Sequence, residues 1–358
     1  MTIIPVTNHH SINSMIRVAH KYLILLMVSF GSLLFGFPIS SYDFHTPVHQ
    51  VSPVVEAMGG MSVTYESDSA LMYNNPALLP FVENGVVTAS FKMEHKQGMS
   101  FSEVMSMANI LKKNQFTYAS VYAAKGGFGW YPLASINQSR TYNSTGEIYR
   151  EYEDYQLDAV QFAFGTQVED ITAVDISWGM SFKYIFGRLV YLEEKQTGNS
   201  WLREEFYDER VKGYSADLGF LLKQEGFSAG LVFYDLFSRL YWEDSANRVI
   251  TKRASLGFQW GIGNYALTTG ISRKLNLKKE QEYHLGIVRQ FELNTPVGEG
   301  VLLFRTGIHS EDFANEDAIF TSFGTGYYIK QLRIDLSATT NGMVLKNNRY
   351  LISISVGL

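Results

Sequence analysis

The strongest constraint on this chain is a pattern of long stretches in which apolar and polar side chains alternate. One face of the stretch 176–186 is formed by Ile176, Trp178, Met180, Phe182, Tyr184 and Phe186. The same period of two recurs in 213–222, 332–339 and 350–358. Residues that alternate in this way point to opposite faces of a β-strand. The pattern therefore predicts strands with one apolar face and one polar or small face.

The length and number of these stretches favour a membrane barrel. They last about ten residues or more, whereas strands of soluble proteins average about five or six. Large soluble β-sandwiches also show long alternation, but an even number of long one-sided strands is typical of bacterial transmembrane barrels. We predict an all-β chain that folds as a transmembrane antiparallel β-barrel of about fourteen strands. The candidate strands are 85–96, 115–125, 127–140, 152–168, 172–188, 207–223, 227–240, 248–261, 264–275, 281–293, 300–309, 317–329, 331–340 and 348–358.

The connections between these strands alternate in length. Short turns are predicted at 125–127, 224–226, 263–264 and 330–331, and longer polar loops at 97–114, 141–151, 189–206 and 241–247. Short turns on one rim and long loops on the other are the outer-membrane arrangement. One loop segment, 99–113, has helical spacing of its apolar residues; it is either a helix packed on the rim or a helix that guards an apolar opening.

The first 41 residues predict a secretory signal peptide. Arg17 and Lys21 precede a short apolar run at 22–37, which is followed by Ser40 and Ser41. A membrane-anchoring helix is the alternative, but the run is shorter than the roughly 20 apolar residues that a spanning helix needs. Such a signal places the mature chain outside the cytoplasm.

Composition and motifs exclude several function classes. The chain has no Cys and a formal net charge of −5, so no thiolate site and no nucleic-acid partner are expected. Gly261-Ile262-Gly263 lacks the third glycine of a dinucleotide cradle, and His45 and His49 are expected in a solvated tail rather than in a metal pair. We therefore expect no enzyme activity, no cofactor and no metal.

The face of the predicted strands that carries small and polar residues cannot face lipid and is expected to face a water-filled lumen. Its polar residues include Ser177, Ser181, Lys183, Ser215 and Asp217. An ionisable side chain that faces lipid is costly, so Lys183 and Asp217 are expected to face the lumen of the barrel.

The beginning of the mature chain resembles a known family. In "VSPVVEAMGGMSVTYESDSALMYNNPALLPFVENGVVTASF" the shared features are a Gly-Gly pair, an acidic-Ser-Ala step at Asp68, and an Asn-Pro-Ala element. These features resemble the outer-membrane long-chain fatty-acid transporter family (FadL) and the related PorV/PorQ-type barrels of type IX secretion, to which the chain is closer in size. The resemblance implies that residues 42–84 form a hatch inside the lumen and that residues 85–358 form the barrel. The hatch residues singled out are Gly59, Gly60, Asp68, Asn75, Pro76 and Ala77.

The third predicted strand contains a proline, which removes one hydrogen-bond donor from the sheet. In the fatty-acid transporters a distorted third strand opens a lateral gap into the membrane. Gly129 and Pro132 therefore predict a kink in the wall, and the alternative is a proline at a bulge within the aromatic girdle.

The resemblance implies a barrel in the bacterial outer membrane that binds or transports hydrophobic, fatty-acid-like small molecules. The alternative is a PorV/PorQ-like, secretion-associated barrel that binds a protein partner or cargo. The expected partners are outer-membrane lipid, a hydrophobic small molecule and, for the alternative, a secretion-system protein. A transporter should have an apolar path from the outer loops to the lumen. A partner-binding barrel should instead expose Leu240-Tyr241-Trp242 or Trp201-Leu202 at loop tips.

Overall fold

The computed structural model describes residues 51–358, except 62, 94–99, 105, 107, 109–114, 169–173, 245, 276–280, 297, 316–317 and 342–347. The predicted signal peptide, the predicted hatch residues 42–50 and most of the helix predicted at 99–113 lie outside this description. Within that range a short helix is described at Phe101–Val104. No described helix is long and apolar enough to cross a membrane.

The described strands form one closed antiparallel sheet in which neighbours follow chain order, and β1 pairs with β15. Two of the fifteen strands, β7 and β8, share one position because both pair with β6. The described part of the chain is thus a barrel of fourteen strand positions, as predicted. The strands are β1 (Val86–Met93), β2 (Phe116–Ala123), β3 (Gly126–Ser144), β4 (Glu147–Val168), β5 (Asp175–Thr197), β6 (Ser200–Gln224), β7 (Phe227–Tyr234), β8 (Arg239–Trp242), β9 (Arg253–Ile262), β10 (Tyr265–Lys274), β11 (Gln281–Thr295), β12 (Gly298–Ser310), β13 (Ile319–Ile329), β14 (Leu332–Asn341) and β15 (Arg349–Gly357).

Large apolar side chains are exposed around the outside of the barrel. Phe162 on β4, Phe182 on β5, Phe304 on β12 and Phe323 on β13 are each exposed by 50% or more. Contiguous exposed apolar surface is rare on soluble monomers and typical of the lipid-facing band of a membrane barrel. The outer face therefore matches the apolar face predicted from the alternation.

The prediction of long loops at 141–151 and 189–206 was wrong. Both ranges belong to hairpins, which turn over two residues at 145–146 and at 198–199. Thr145 and Gly146 both have positive φ, as a type I′ turn requires. The extensions carry charged and aromatic pairs on both faces, among them Arg188–Asp208 at 2.7 Å and the stacked rings of Tyr142 and Tyr149. Cross-strand pairs of these types stabilise a sheet that has no apolar face. The extensions therefore lack the alternation of apolar and polar residues that marks the membrane-spanning parts of the same strands.

The strand position shared by β7 and β8 is interrupted at Asp235. This residue has a φ of 55°, a left-handed conformation that Asp tolerates better than most residues. Its backbone N–H leaves the ladder and donates to Asp217 Oδ1 at 2.9 Å. Beyond the break, β8 pairs with the upper part of β6, and Leu240 forms an isolated bridge with Arg248.

Residues 51–81, here called the inner segment, fold into short helical pieces rather than strands. They are α1 (Pro53–Ala57), α2 (Leu71–Asn74) and a 3₁₀ helix, η1 (Pro76–Phe81); the four-residue helix Phe101–Val104 is α3. Ser52 caps α1 through its hydroxyl, which accepts from Val54 N at 3.1 Å. Nearly all described side chains of the inner segment are buried. They pack against strand residues that face the lumen, so the core of the protein lies inside the barrel.

Candidate functional site

A belt of glycines on the inner face of the wall lets the inner segment approach the strands closely. Many of them pair directly with one another across strands, as Gly165 does with Gly179 and Gly179 with Gly219. A Cβ atom added to any glycine of this belt would come within 3 Å of an atom of the inner segment. Glycine inside a strand commonly marks the close approach of another backbone, and here that backbone is the inner segment. The belt is formed by Gly165, Gly179, Gly219, Gly230, Gly257, Gly270, Gly286, Gly307 and Gly324.

The Gly59-Gly60 pair makes the turn after α1, close to β11 and β12. Both residues have positive φ, at 72° and 82°. A Cβ on Gly59 would lie 2.6 Å from the Ile308 carbonyl oxygen, so space as well as conformation requires glycine there. Gly59 O contacts His284 Nδ1 at 2.7 Å, and this fixes the turn to the wall.

The Asn-Pro-Ala element connects α2 to η1 and lies on the glycines of β4, β5 and β6. Asn75 caps η1 by accepting from Ala77 N at 3.0 Å, and its side-chain amide donates to Val63 O at 2.8 Å and to Phe220 O at 3.3 Å. Pro76 follows as the first residue of η1, where its missing N–H costs nothing. Asn75 thus joins two parts of the inner segment to the wall.

Asp68 organises the middle of the inner segment. Its carboxylate accepts from Ser52 Oγ at 2.6 Å, from Ala70 N at 3.1 Å and from Asn74 Nδ2. Burial raises the pKa of Asp68, and the hydrogen bonds from Ser52 and Ala70 act in the opposite direction. The carboxylate therefore holds the N-cap of α1 next to α2.

The five polar residues predicted to face the lumen are all buried on the inner side of β5 and β6. Ser177 Oγ donates to Ala77 O at 2.7 Å and so binds the inner segment. Lys183 Nζ lies 2.7 Å from Asp217 Oδ1 and 3.0 Å from Asp235 Oδ1. Ser181 donates to Asp217, and Ser215 donates to Asp235, both at 2.6 Å. The ion triad Lys183–Asp217–Asp235 thus secures the interruption between β7 and β8, a role that the alternation did not reveal.

Above the inner segment, one patch on the inner face of β3–β6 and β8 is apolar. The interior of a transmembrane barrel is usually polar, so this patch requires an explanation. Leu240 and Trp242 point into it and are at most 7% exposed. Of the residues that a partner-binding barrel was expected to expose, Tyr241 and Leu202 are exposed, at 43% and 53%. We call this patch the lumen cluster; its main wall residues are Leu157, Ile185, Leu189, Val211, Leu240 and Trp242.

The wall is irregular beside the lumen cluster. Pairing between β2 and β3 ends at Ala119 and Trp130. On the other side of β3 the register with β4 shifts between Pro132 and Ala134, so that Leu133 is an extra residue. Such a bulge interrupts the ladder and bends the strand. It lies where Gly129 and Pro132 predicted a kink.

Three tyrosines meet at this irregularity, and we call them the tyrosine triad. The ring of Tyr73, from α2, lies edge-on to the ring of Tyr131 at 4.9 Å and to the ring of Tyr118 at 6.1 Å. Tyr118 and Tyr131 are the first residues beyond the last pair of β2 and β3. Sequence reasoning missed the triad because nothing in the alternation links residues so far apart in the chain.

No group of three or more His, Asp or Glu side chains in the described residues is placed to hold a metal ion. The two carboxylates of the ion triad are paired with Lys183 instead. The site is thus a buried apolar cluster on the inner wall, with the inner segment beneath it and a bulged strand beside it.

Comparisons with known proteins agree with this architecture. No protein-family model matches the chain, and no curated protein sequence matches it. Among solved structures, the P. putida toluene transporter TodX superposes with a TM-score of 0.52 at 12% identity, over 87% of this chain and 99% of that one. The Ralstonia pickettii toluene transporter TbuX gives 0.49 at 11% identity over 87% and 98% of the two chains. A Pseudomonas aeruginosa FadL homologue gives 0.48 at 10% over 90% and 99%. The similarity to TodX shows that this chain has the same fold.

Proposed function

We propose that this chain is a bacterial outer-membrane transporter that passes hydrophobic small molecules and catalyses no reaction. The observation that carries the proposal is the lumen cluster, because an apolar inner face is costly in water and useful only for an apolar ligand. The exposed apolar band on the outside and the fold shared with a toluene transporter support the same function.

In this proposal the inner segment is the hatch. It lies below the lumen cluster and is attached by hydrogen bonds from the wall, such as Tyr234 Oη to Asn74 O at 2.6 Å and Gln161 Nε2 to Met72 O at 3.3 Å. The end of the pairing between β2 and β3, next to the bulge in β3, would provide a lateral route through the wall. A ligand would be caught in the lumen cluster and leave through the wall or past the displaced hatch.

Polar substitutions inside the lumen cluster test the proposal. We expect Ile185→Asn or Leu189→Asn to lower uptake of a radiolabelled hydrophobic probe by about five-fold or more, because an unpaired amide makes the lumen unfavourable for apolar ligands. Uptake is measured in cells that lack other transporters of this kind, at equal surface expression. Val190→Asn is the matched control, since Val190 is the neighbour of Leu189 on the opposite face of β5.

The secretion-associated alternative makes a different prediction for the same cells. If uptake is unchanged in both lumen variants and a protein co-purifies in stoichiometric amount after mild extraction, the transporter proposal is wrong. Co-purified lipid-like material found by mass spectrometry, and lost in the Ile185→Asn variant, would support it.

A further inference from the structure

Two tyrosine hydroxyl groups are buried beside the wall bulge without a hydrogen-bond partner among the described residues. Tyr118 is fully buried and Tyr131 is 1% exposed, and neither hydroxyl oxygen forms a hydrogen bond. The Ser120 hydroxyl group, two residues along the same strand, lies next to the Tyr118 hydroxyl group, so the Tyr131 hydroxyl group is the more isolated of the two. A buried hydroxyl group without a hydrogen-bond partner is unfavourable, so a ligand that brought an acceptor to this place would be stabilised.

The space between these two side chains is already filled by an aromatic ring. Tyr73 packs edge-on against Tyr131 with an interplanar angle of 84°, and against Tyr118 with one of 67°. Edge-to-face contact at such distances is the preferred geometry of aromatic pairs. Tyr73 belongs to the inner segment, whereas the other two residues belong to the wall, so displacement of α2 would leave a gap of one ring.

We propose that Tyr118 and Tyr131 form a binding site for a single aromatic ring that carries a neutral oxygen acceptor, and that Tyr73 occupies this site when the hatch is closed. The inference rests on the proposed transport function and specifies its ligand class: aryl ketones, esters, aldehydes or ethers. The Tyr131 hydroxyl group donates to the ligand oxygen, the ring of Tyr118 forms the other side of the site, and the ring of the ligand replaces the ring of Tyr73.

The surroundings of the site exclude a charged ligand. The neighbouring side chains are apolar, among them Ala70, Leu133, Ala134 and Ala159. Two cationic groups lie nearby, and both are already engaged. The Lys183 ammonium group is paired with two carboxylates, and the Arg253 guanidinium group lies 4.2 Å from the ring centroid of Tyr234. An anionic ligand would therefore lose its hydration without gaining a counter-ion, whereas a carbonyl oxygen needs only the hydroxyl groups.

Acetophenone and ethylbenzene provide the test, because they share a carbon skeleton and differ in one carbonyl oxygen. Titration calorimetry on the purified full chain in detergent should show acetophenone binding about ten-fold more tightly than ethylbenzene. Tyr131→Phe should reduce this preference to about two-fold and leave the affinity for ethylbenzene unchanged. Tyr152→Phe, an exposed tyrosine on the outer face of β4, is the matched control and should behave as the wild type.

Variants at Tyr73 test the second half of the proposal. Tyr73→Ala should bind both compounds about ten-fold more tightly because the site is vacated, whereas Tyr73→Phe keeps the ring and should match the wild type.

The proposal is overturned if the wild type shows no preference for acetophenone, if Tyr131→Phe retains the preference, or if Tyr73→Ala binds no more tightly than Tyr73→Phe. If one of these results is found while uptake of a long-chain alkane is normal, the aromatic site is refuted but the transport function is not. Uptake that does not respond to Ile185→Asn would refute the transport function itself.

Discussion

Replacing Gly179 with Val is expected to expel the inner segment from the lumen and turn a closed barrel into an open pore. A Cβ at this position would lie 2.5 Å from the carbonyl carbon of Pro76, 2.6 Å from its oxygen and 2.7 Å from Ala77 N. All three are backbone atoms, so no side-chain rotation relieves the overlap. Valine favours β-strands, so β5 itself should gain rather than lose stability. We expect single-channel conductance in planar bilayers to rise at least about ten-fold over the wild type.

The control for this variant is Gly261→Val, because a Cβ on Gly261 meets nothing within 4 Å. It should keep the wild-type conductance and the protection of the inner segment from protease. If Gly179→Val gives a barrel whose conductance and protease protection match those of Gly261→Val, the glycine belt does not hold the inner segment in place.

Removing the charge of Lys183 is expected to cause the largest loss of stability. Lys183→Met leaves Asp217 and Asp235 facing each other in a buried site, with 1% and 13% of their side chains exposed. Breaking a buried ion pair on one side typically costs about 3–5 kcal/mol. The temperature at which the folded band disappears in semi-native gel electrophoresis should therefore fall clearly below that of the wild type.

The triple variant Lys183→Met, Asp217→Asn, Asp235→Asn separates charge from packing. Buried ion clusters can often be replaced by neutral groups with little loss, so this variant should recover most of the lost stability. If it is as unstable as Lys183→Met alone, the contribution of Lys183 is packing of its aliphatic chain rather than charge.

The alternation predicted the fourteen strand positions because lipid imposes one apolar face on every membrane-spanning strand. The alternation did not predict the parts of the strands that extend beyond the lipid, where no apolar face is required. Above the band, the hairpins carry pairs such as Arg140–Glu151 on the inner face and Arg188–Asp208 on the outer face, so their polar sequences resemble those of loops. The interruption at Asp235 was also missed, since a single left-handed residue leaves no periodic signal.

Much less of the candidate site could be read from the sequence. Asn75, Pro76 and Gly59 were singled out by resemblance, but the reason for their identity is contact with glycines on distant strands. The lumen cluster was not predicted, because Leu189 lies in a range that was interpreted as a polar loop and Val211 in one that was interpreted as an ordinary strand. Sites assembled from non-local contacts carry no local pattern, and the tyrosine triad is the clearest case.

The position of the inner segment in the chain has a consequence for biogenesis. It precedes every strand, yet it contacts Ser322 on β13 and Ser353 on β15. Its binding surface is complete only when the last strand has joined the first, and the two contacts join residues that are 263 and 284 positions apart in the chain. Contacts of this kind form late, because the entropy of closing the intervening loops must be overcome first. The segment that is made first is thus expected to reach its native position last, and a barrel caught during insertion would be closed as a cylinder while still open to water.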